Sequence, residues 1–390
     1  MTGSDRIELR LDKLDLSFID IKNISQRLPV APVISNRREH LSLTDIKTLL
    51  PYGQVDIDID IYENIAPELP IKPIIISSHS NTYPKELPHV PHAWFKICPS
   101  LDSMPEALEF LTHIRQIPQK NLIAYVRGDR FSFTRELAWG MGQAAQFVSI
   151  DKNHCIEGQL LITELPTNMP YDHWFAVIGH PIEHSQSPSF HNQWIEQANY
   201  RARYIRLDIH PQELYPSLEL ITQLPFKGLS ITMPHKMNCA TYINNKMPAI
   251  NTLYYHQSWQ GANTDALAFE RLIPDHEDIL ILGLGGVSYG IASVITTPFT
   301  IYNRTISKYA PFSQLFPKAK ILDHQKTFKT IINTLPAHAK IPDGLKCETL
   351  LELQYAQKQK TPIQHHHHIS GHEFFITQAL AQKEIFKEII

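Results

Sequence analysis

At 390 residues, 43% of them apolar, the chain is long enough for two or three separate cores. A net charge of −3 without a long basic run excludes a nucleic-acid surface and leaves small molecules as the expected partners. Cys98, Cys155, Cys239 and Cys347 are far apart with no CxxC pair, the N-terminal MTGSDRIELRLDKLD has no apolar centre, and no run approaches the ~18 apolar residues of a membrane span, so reduced thiols, a cytoplasmic location, no membrane association and no zinc site are expected.

Short β-branched runs predict strands at 6–12, 31–36, 54–60, 73–79, 93–97, 122–127 and 146–150, with helices at 103–116 and 132–142 among the connections. Strands alternating with helices predict a parallel sheet built from βα units. Glu8, Arg10, Arg37, Asp58, His79 and Lys96 fall within or at the C-terminal ends of these strands, where a βα barrel keeps its chemistry. The polar, proline-containing segment 164–174 marks a domain boundary, and a new strand follows at 175–180. Further βα alternation runs to about residue 265, and DILILGLGG (278–286) then reads as a buried strand entering a glycine turn.

In the N-terminal half, IIISSH ends on His79 and AWFKIC places Lys96 at the close of the next strand. A lysine amine forms a Schiff base with a ketone, and a neighbouring histidine moves protons, a pair suited to eliminating water beside a carbonyl. The motifs Glu8-x-Arg10-x-Asp12, Ser35-Asn36-Arg37, Asp56-x-Asp58, His79, Lys96-Ile97-Cys98, Gly128 with Thr134-Arg135, and Gly158-Gln159 occur in this order. Together they resemble type I 3-dehydroquinate dehydratase over about residues 5–165. The resemblance implies Lys96 as the Schiff-base lysine and His79 as acid–base, with Glu8, Arg10, Arg37, Arg135 and Gln159 binding substrate. Asp58 stands where that family has Glu and Thr134 where it has Ser, and the chain starts at what corresponds to the second barrel strand.

The glycine turn Gly283-x-Gly285-Gly286 lets backbone approach a pyrophosphate. The following strand ends in Asn303-Arg304-Thr305, with Lys308 just beyond; cations there suit the 2′-phosphate of NADP rather than the free 2′-hydroxyl of NAD. Upstream, Ser185-x-Ser187, Thr232 with Lys236, Asn251-Thr252 and Asn263-Thr264-Asp265 assemble hydroxyls, amides, one lysine and one carboxylate, a lining for a small polyhydroxy acid. These six motifs in order are similar to shikimate dehydrogenase over about residues 175–390. The resemblance implies Lys236 and Asp265 as the catalytic pair and Ser185 and Ser187 as holders of the substrate carboxylate. Thr232, Asn251, Tyr355 and Gln378 would contact its other groups. Gly283, Gly285, Gly286, Asn303, Arg304, Thr305 and Lys308 would bind NADP. Ser230 replaces the family's asparagine, the helix after Gly286 is short, and no glycine follows INTLP (332–336).

The expected fold is therefore α/β in three parts. Residues 1–165 form a (β/α)8-type, dehydratase-like barrel lacking its first unit. Residues 172–265 with 370–390 form an α/β substrate domain, and residues 266–369 a Rossmann-like NADP domain. The implied reactions are consecutive: 3-dehydroquinate loses water to give 3-dehydroshikimate, which NADPH reduces to shikimate. They follow in the order of the fused pair found in plants and chlamydia-like bacteria. The alternatives are a monofunctional shikimate or quinate/shikimate dehydrogenase with a degenerate dehydratase domain, and a non-catalytic binding or regulatory protein. The run His365–His368 reads as a shortened surface connection rather than a metal site, since four consecutive side chains cannot point one way.

Overall fold

The computed structural model describes residues 7–11, 18–28, 30–36, 41–69, 74–91, 93–149, 152–165, 169–336, 339–354 and 361–390. Contacts divide the chain into two units, Met1–Tyr171 and Asp172–Ile390.

The N-terminal unit runs β1 (Glu8–Arg10), α1 (Phe18–Arg27), β2 (Val33–Ser35), α2 (Leu43–Leu49), β3 (Gln54–Asp58), α3 (Ile59–Ile65), β4 (Ile74–Ser78), β5 (Ala93–Ile97), α4 (Met104–Ile114), β6 (Leu122–Ala124) and α5 (Phe133–Gly140). Its strands form one parallel sheet in the order β1-β2-β3-β4-β5-β6, so every crossover steps one place in the same direction. Strands β2 and β4 are buried at every residue, as expected where a parallel sheet is covered on both faces. Helix α4 illustrates how sequence places a cover. Ser103 and Glu106 form a reciprocal capping box that starts the helix, and Met104, Ala107, Leu108, Leu111 and Ile114 recur on one face and are buried.

Among the described residues 146–149, the strand expected at 146–150 is not formed. Ser149 makes a single parallel bridge with Leu161, because its backbone pairs with the nearby loop, donating to Leu160 O at 2.9 Å and accepting from Ile162 N at 2.8 Å. The edge of β6 is taken instead by Gln143, whose side-chain oxygen accepts from Ala124 N at 2.8 Å, and by Ala144, whose N donates to Leu122 O at 3.0 Å. Among the described residues the sheet thus has six strands and stays open, with β1 and β6 unpaired to each other.

The C-terminal unit carries two sheets. The first is built from β7 (His173–Gly179), α6 (Ser187–Gln197), β8 (Ala202–Asp208), α7 (Leu214–Ile221), β9 (Phe226–Ile231), α8 (Lys236–Tyr242), β10 (Thr252–His256), β11 (Ser258–Ala262) and α9 (Thr264–Leu272). Its order is β11-β10-β9-β7-β8, parallel at β7–β8 and β7–β9 and antiparallel at β9–β10 and β10–β11. The second follows as β12 (Ile279–Leu282), α10 (Gly286–Ala292), β13 (Phe299–Tyr302), α11 (Tyr309–Leu315), β14 (Ala319–Ile321), β15 (Thr327–Asn333), β16 (Lys346–Glu352) and β17 (Gln364–Ile369). This sheet is wholly parallel in the order β14-β13-β12-β15-β16-β17. Strand order reverses between β12 and β15, the kind of switch point at which doubly wound sheets bind ligands.

The last helix, α12 (Gly371–Lys387), returns to pack on α9 and α6, and its Phe386 enters the core of the first sheet beside Phe175, Trp194 and Tyr204. The histidine run is not the surface connection expected from sequence. It is the body of β17, an edge strand in register with β16, where His365 pairs with Cys347 and His368 with Leu350. Backbone pairing to β16, not an apolar pattern, makes it a strand. Among the described residues, no helix is long and apolar enough to cross a membrane, and the four cysteines are free.

Candidate active sites

Two buried lysines organise the polar interior, one in each unit. In the C-terminal unit the loop after β9 carries Thr232 and leads into α8, whose first residue is Lys236. Helix α9 begins with Asn263 as its cap, the Asn263 side chain accepting from Ala266 N at 3.0 Å, and this fixes Asp265 in the first turn. Lys236 Nζ donates to Asp265 Oδ2 at 2.5 Å with both residues buried, at 8% and 4% exposure. A buried ion pair is a weak device for stability but a common one for chemistry.

The polar groups around this pair are tied to one another. Asn251 Oδ1 accepts from Thr264 N at 2.7 Å, and Asn251 Nδ2 donates to Gln378 Oε1 at 3.3 Å. Gln378 Oε1 also accepts from Thr264 Oγ1 at 3.2 Å, so α12 and the two loops share one network. Ser185 and Ser187 lie at the entry to α6 and are buried; Arg206 holds their loop by donating to Ser185 O at 2.7 Å. Thr232 donates its backbone N–H to Ile178 O at 3.0 Å and is half-buried.

Gln382 was not legible as a site residue from its motif. Its Nε2 donates to Asn251 O at 3.0 Å and Thr252 Oγ1 at 2.8 Å, while its Oε1 accepts from Ser230 Oγ at 2.7 Å. Ser230 in turn accepts from the Tyr204 hydroxyl at 2.5 Å. The serine in place of asparagine is therefore a working link in a buried chain. The one available signal was the spacing of Gln382, one helical turn after Gln378.

Burial drives the ring of His191 down to about 3. Trp194 Nε1 donates to His191 Nδ1 at 3.0 Å, which requires the neutral ring. Burial also lowers His235 and His173, and it raises Cys239 to about 12, keeping that thiol protonated.

The glycine turn lies against this site. Gly283 has φ +96°, and a Cβ there would meet Thr334 Oγ1 at 2.5 Å. Thr334, within the INTLP run (332–336), braces the turn: its Oγ1 donates to Leu282 O at 2.8 Å. A Cβ on Gly285 would meet nothing within 4 Å, an opening that fits the close approach of a dinucleotide pyrophosphate. Gly286 does something else: a Cβ there would stand 2.9 Å from Lys236 Cβ, and one on Gly290 would stand 2.4 Å from Asn263 Nδ2. Helix α10 thus offers two notches, one for the stem of Lys236 and one for the cap of the helix bearing Asp265. Asn303 Oδ1 accepts from Leu284 N at 3.2 Å, and Tyr309 clamps the Asn303 backbone, its hydroxyl accepting from Asn303 N at 2.6 Å. Arg304, Thr305 and Lys308 are exposed beyond β13, where the adenosine end of a dinucleotide is read. This set fits NADP.

In the N-terminal unit Lys96 is buried on β5. Its Nζ donates to Asp56 Oδ2 at 3.2 Å, lies 3.9 Å from Glu8 Oε1, and sits 4.1 Å from the centre of the Phe147 ring. Glu8 accepts from Ser35 Oγ at 2.7 Å, joining β1 and β2 to the same cluster. Asp56 rather than Asp58 meets the lysine. Alternation puts both on one face of β3, but Asp58 is spent as the cap of α3, accepting from Asp60 N at 3.1 Å. That alternation was the signal for Asp56, and the motif drew attention to its neighbour. His79 follows β4, the strand beside β5; its backbone O accepts from Arg127 at 2.8 Å. Arg135 is buried with its guanidinium 3.5 Å over the Tyr125 ring. Thr134 turns its hydroxyl to structure, donating to Phe131 O at 2.7 Å and accepting from Val126 N at 2.9 Å. Gln159 sits in a loop docked on the Gly128 turn through Gly158 N, which donates to Asp129. Arg10 is half-buried on β1. Arg37 and Tyr355 lie outside the described residues.

The family model described as the shikimate dehydrogenase substrate binding domain matches residues 177–253. The shikimate dehydrogenase (NADP(+)) of Exiguobacterium sibiricum is 32% identical over 197 residues, covering 45% of this chain and 75% of that protein. The enzyme of the same name from Lysinibacillus sphaericus is 35% identical over 153 residues, 34% of this chain and 55% of its own length. The Chlamydia pneumoniae protein named shikimate biosynthesis protein AroDE is 26% identical over 436 aligned residues, 97% of this chain and 89% of that protein. A solved chain described as dehydroquinate dehydratase and shikimate dehydrogenase from S. pombe AroM aligns with 99% of this chain and 91% of its own, at 18% identity and a TM-score of 0.42.

Proposed function

The chain belongs to the shikimate dehydrogenase family, and from that premise we propose that residues 172–390 reduce 3-dehydroshikimate to shikimate with NADPH. The observation that carries this reading is the buried Lys236–Asp265 pair, held at 2.5 Å against the glycine-turn helix. Bound NADPH supplies a hydride to the ring ketone. Lys236 holds a proton at Nζ and gives it to the carbonyl oxygen as negative charge develops there. Asp265 keeps that ammonium group in place, and after the transfer the neutral amine can still donate a hydrogen bond to the same carboxylate. Ser185 and Ser187 donate hydroxyls to the ring carboxylate, and Thr232, Asn251 and Gln378 orient the ring hydroxyls. Arg304 and Lys308 pair with the 2′-phosphate. Loss of NADPH absorbance on adding 3-dehydroshikimate tests the activity. A folded chain that consumes no NADPH with this substrate would refute the reading.

A second reading, favoured by buried Lys96 and Asp56 with half-buried Glu8 beside them, gives the N-terminal unit the preceding dehydration at the parallel sheet that has six strands among the described residues. Lys96 Nζ attacks the ketone carbon of 3-dehydroquinate, and loss of water leaves an iminium. His79 takes the proton beside it and returns it to the ring hydroxyl, which departs as water; hydrolysis of the imine then returns the amine and 3-dehydroshikimate. Glu8, Arg10, Arg37, Arg135 and Gln159 hold the substrate. Consecutive order in the chain and the AroDE alignment over both units support this reading. Borohydride with 3-dehydroquinate is expected to add the reduced ring to Lys96, read by peptide mass. An unmodified Lys96 in the folded chain removes the dehydratase claim.

A further inference from the structure

We propose that His180, Asp208 and His210 form a binding site for a divalent transition metal, Zn²⁺ by ligand chemistry, apart from the residues assigned to either reaction. Asp208 closes β8 in register with Gly179 at the end of β7, so His180 stands beside it. His180 Nδ1 and Asp208 Oδ1 are 2.8 Å apart, and the His180 and His210 rings are 3.9 Å apart between centres, inclined at 41°. One ligand atom from each of the three lies within 4.8 Å of the others. Zinc with bonds of about 2.0–2.2 Å needs its ligand atoms roughly 3.3–3.6 Å apart in a tetrahedron, a change within reach of side-chain rotation.

The backbone carrying these donors is already fixed. Ile209 N donates to Gly179 O at 3.0 Å, His180 N to Met233 O at 3.0 Å, and His210 N to Glu213 Oε2 at 3.1 Å. A cation seated among the three takes one ligand atom from each ring and one from the carboxylate. The His180 and Asp208 side chains are 32% and 16% exposed, which leaves an entry path and room for water as fourth ligand. Among the described residues this is the one such cluster of three or more. Successive residues of the His365–His368 run, on an exposed edge strand, point to opposite faces.

The site braces two loops of the first sheet. His180 begins the loop that carries Ser185 and Ser187, and His210 follows Ile209, whose carbonyl meets His235 Nε2 at 2.7 Å.

The test is a titration of the full chain, stripped with EDTA, with Co²⁺ and then Zn²⁺. One Co²⁺ per chain is expected, with the visible absorption of a tetrahedral nitrogen–oxygen site that Zn²⁺ abolishes. His180→Ala, Asp208→Asn and His210→Ala, each read singly in protein with unchanged circular dichroism, are expected to weaken Zn²⁺ by about 10-fold or more. Changing His365, His366, His367 and His368 together to Gln is expected to leave that affinity unchanged. If the four-residue change removes binding and the three single changes do not, the assignment is overturned. Absence of Zn²⁺ binding at micromolar concentration in the folded, unsubstituted chain overturns it as well.

Discussion

Lys96 and Lys236 are both buried at a sheet's end, yet they keep different company. Lys236 has one carboxylate at 2.5 Å and a glycine pressed against its stem. Lys96 has two carboxylates at 3.2 Å and 3.9 Å and an aromatic face at 4.1 Å. A group that passes a proton back and forth profits from a single fixed partner, because its geometry must be the same before and after transfer. A group that must leave its partner to bond carbon profits from looser, shared pairing. The proposed roles divide along that line.

The largest effect is expected from Lys236→Ala. The rate of 3-dehydroshikimate reduction should fall by about 10²–10⁴, the usual scale for a positioned acid–base group, while borohydride labelling of Lys96 persists. Equal loss of both would mean that the two lysines do not act separately. Next comes Gly286→Ala, where the new methyl must displace the Lys236 stem. Overpacking of this kind costs about 1–3 kcal/mol, and kcat should drop along with stability in urea. Gly285→Ala, opening onto free space, should leave stability nearly unchanged and raise the KM for NADPH.

Acid should separate the two units. His191, lowered by burial to about 3, is neutral in both folded and unfolded chains above pH 6.5. Below that, the unfolded chain takes up a proton that the folded one refuses, so stability is lost as pH falls, by about 1.4 kcal/mol per pH unit until the folded value is reached. His173 and His235 are lowered in the same unit and act in the same direction. Hydrogen exchange between pH 6.5 and 5.5 should therefore loosen residues 172–390 first, and His191→Gln should flatten the dependence. The smallest effect is expected from Arg304→Ala. It should weaken NADPH by about 10-fold and leave NADH nearly unaffected, the worth of one charge-assisted contact. Equal losses would move the 2′-phosphate away from β13.

The residues that chemistry needs were more legible than the frame that holds them. Lys236 and Asp265 stand out because neither has a reason to lie inside a core, and the glycine turn announces itself through residue type. Asp56 does not stand out in the sequence because two aspartates on one strand face look equivalent, and only the capping of α3 by Asp58 separates them. The run QFVSI has strand composition, but whether it joins a sheet depends on what already occupies the β6 edge, and Gln143 and Ala144 sit too near in sequence to be read as competitors. β17 is the reverse case: four histidines carry no strand pattern, and pairing with Cys347–Leu350 supplies the order. His180, Asp208 and His210 meet only because β7 and β8 are neighbours in register, which no local pattern encodes.

The notches in α10 have a mechanical consequence. Gly286 and Gly290 lock the start of the dinucleotide lobe onto the two segments that bear Lys236 and Asp265. If the two lobes of the C-terminal unit open and shut around their ligands, α10 is the fulcrum of that movement. In such a movement the far ends of the lobes would swing, and Lys236 and Asp265, sitting on the pivot, would travel least.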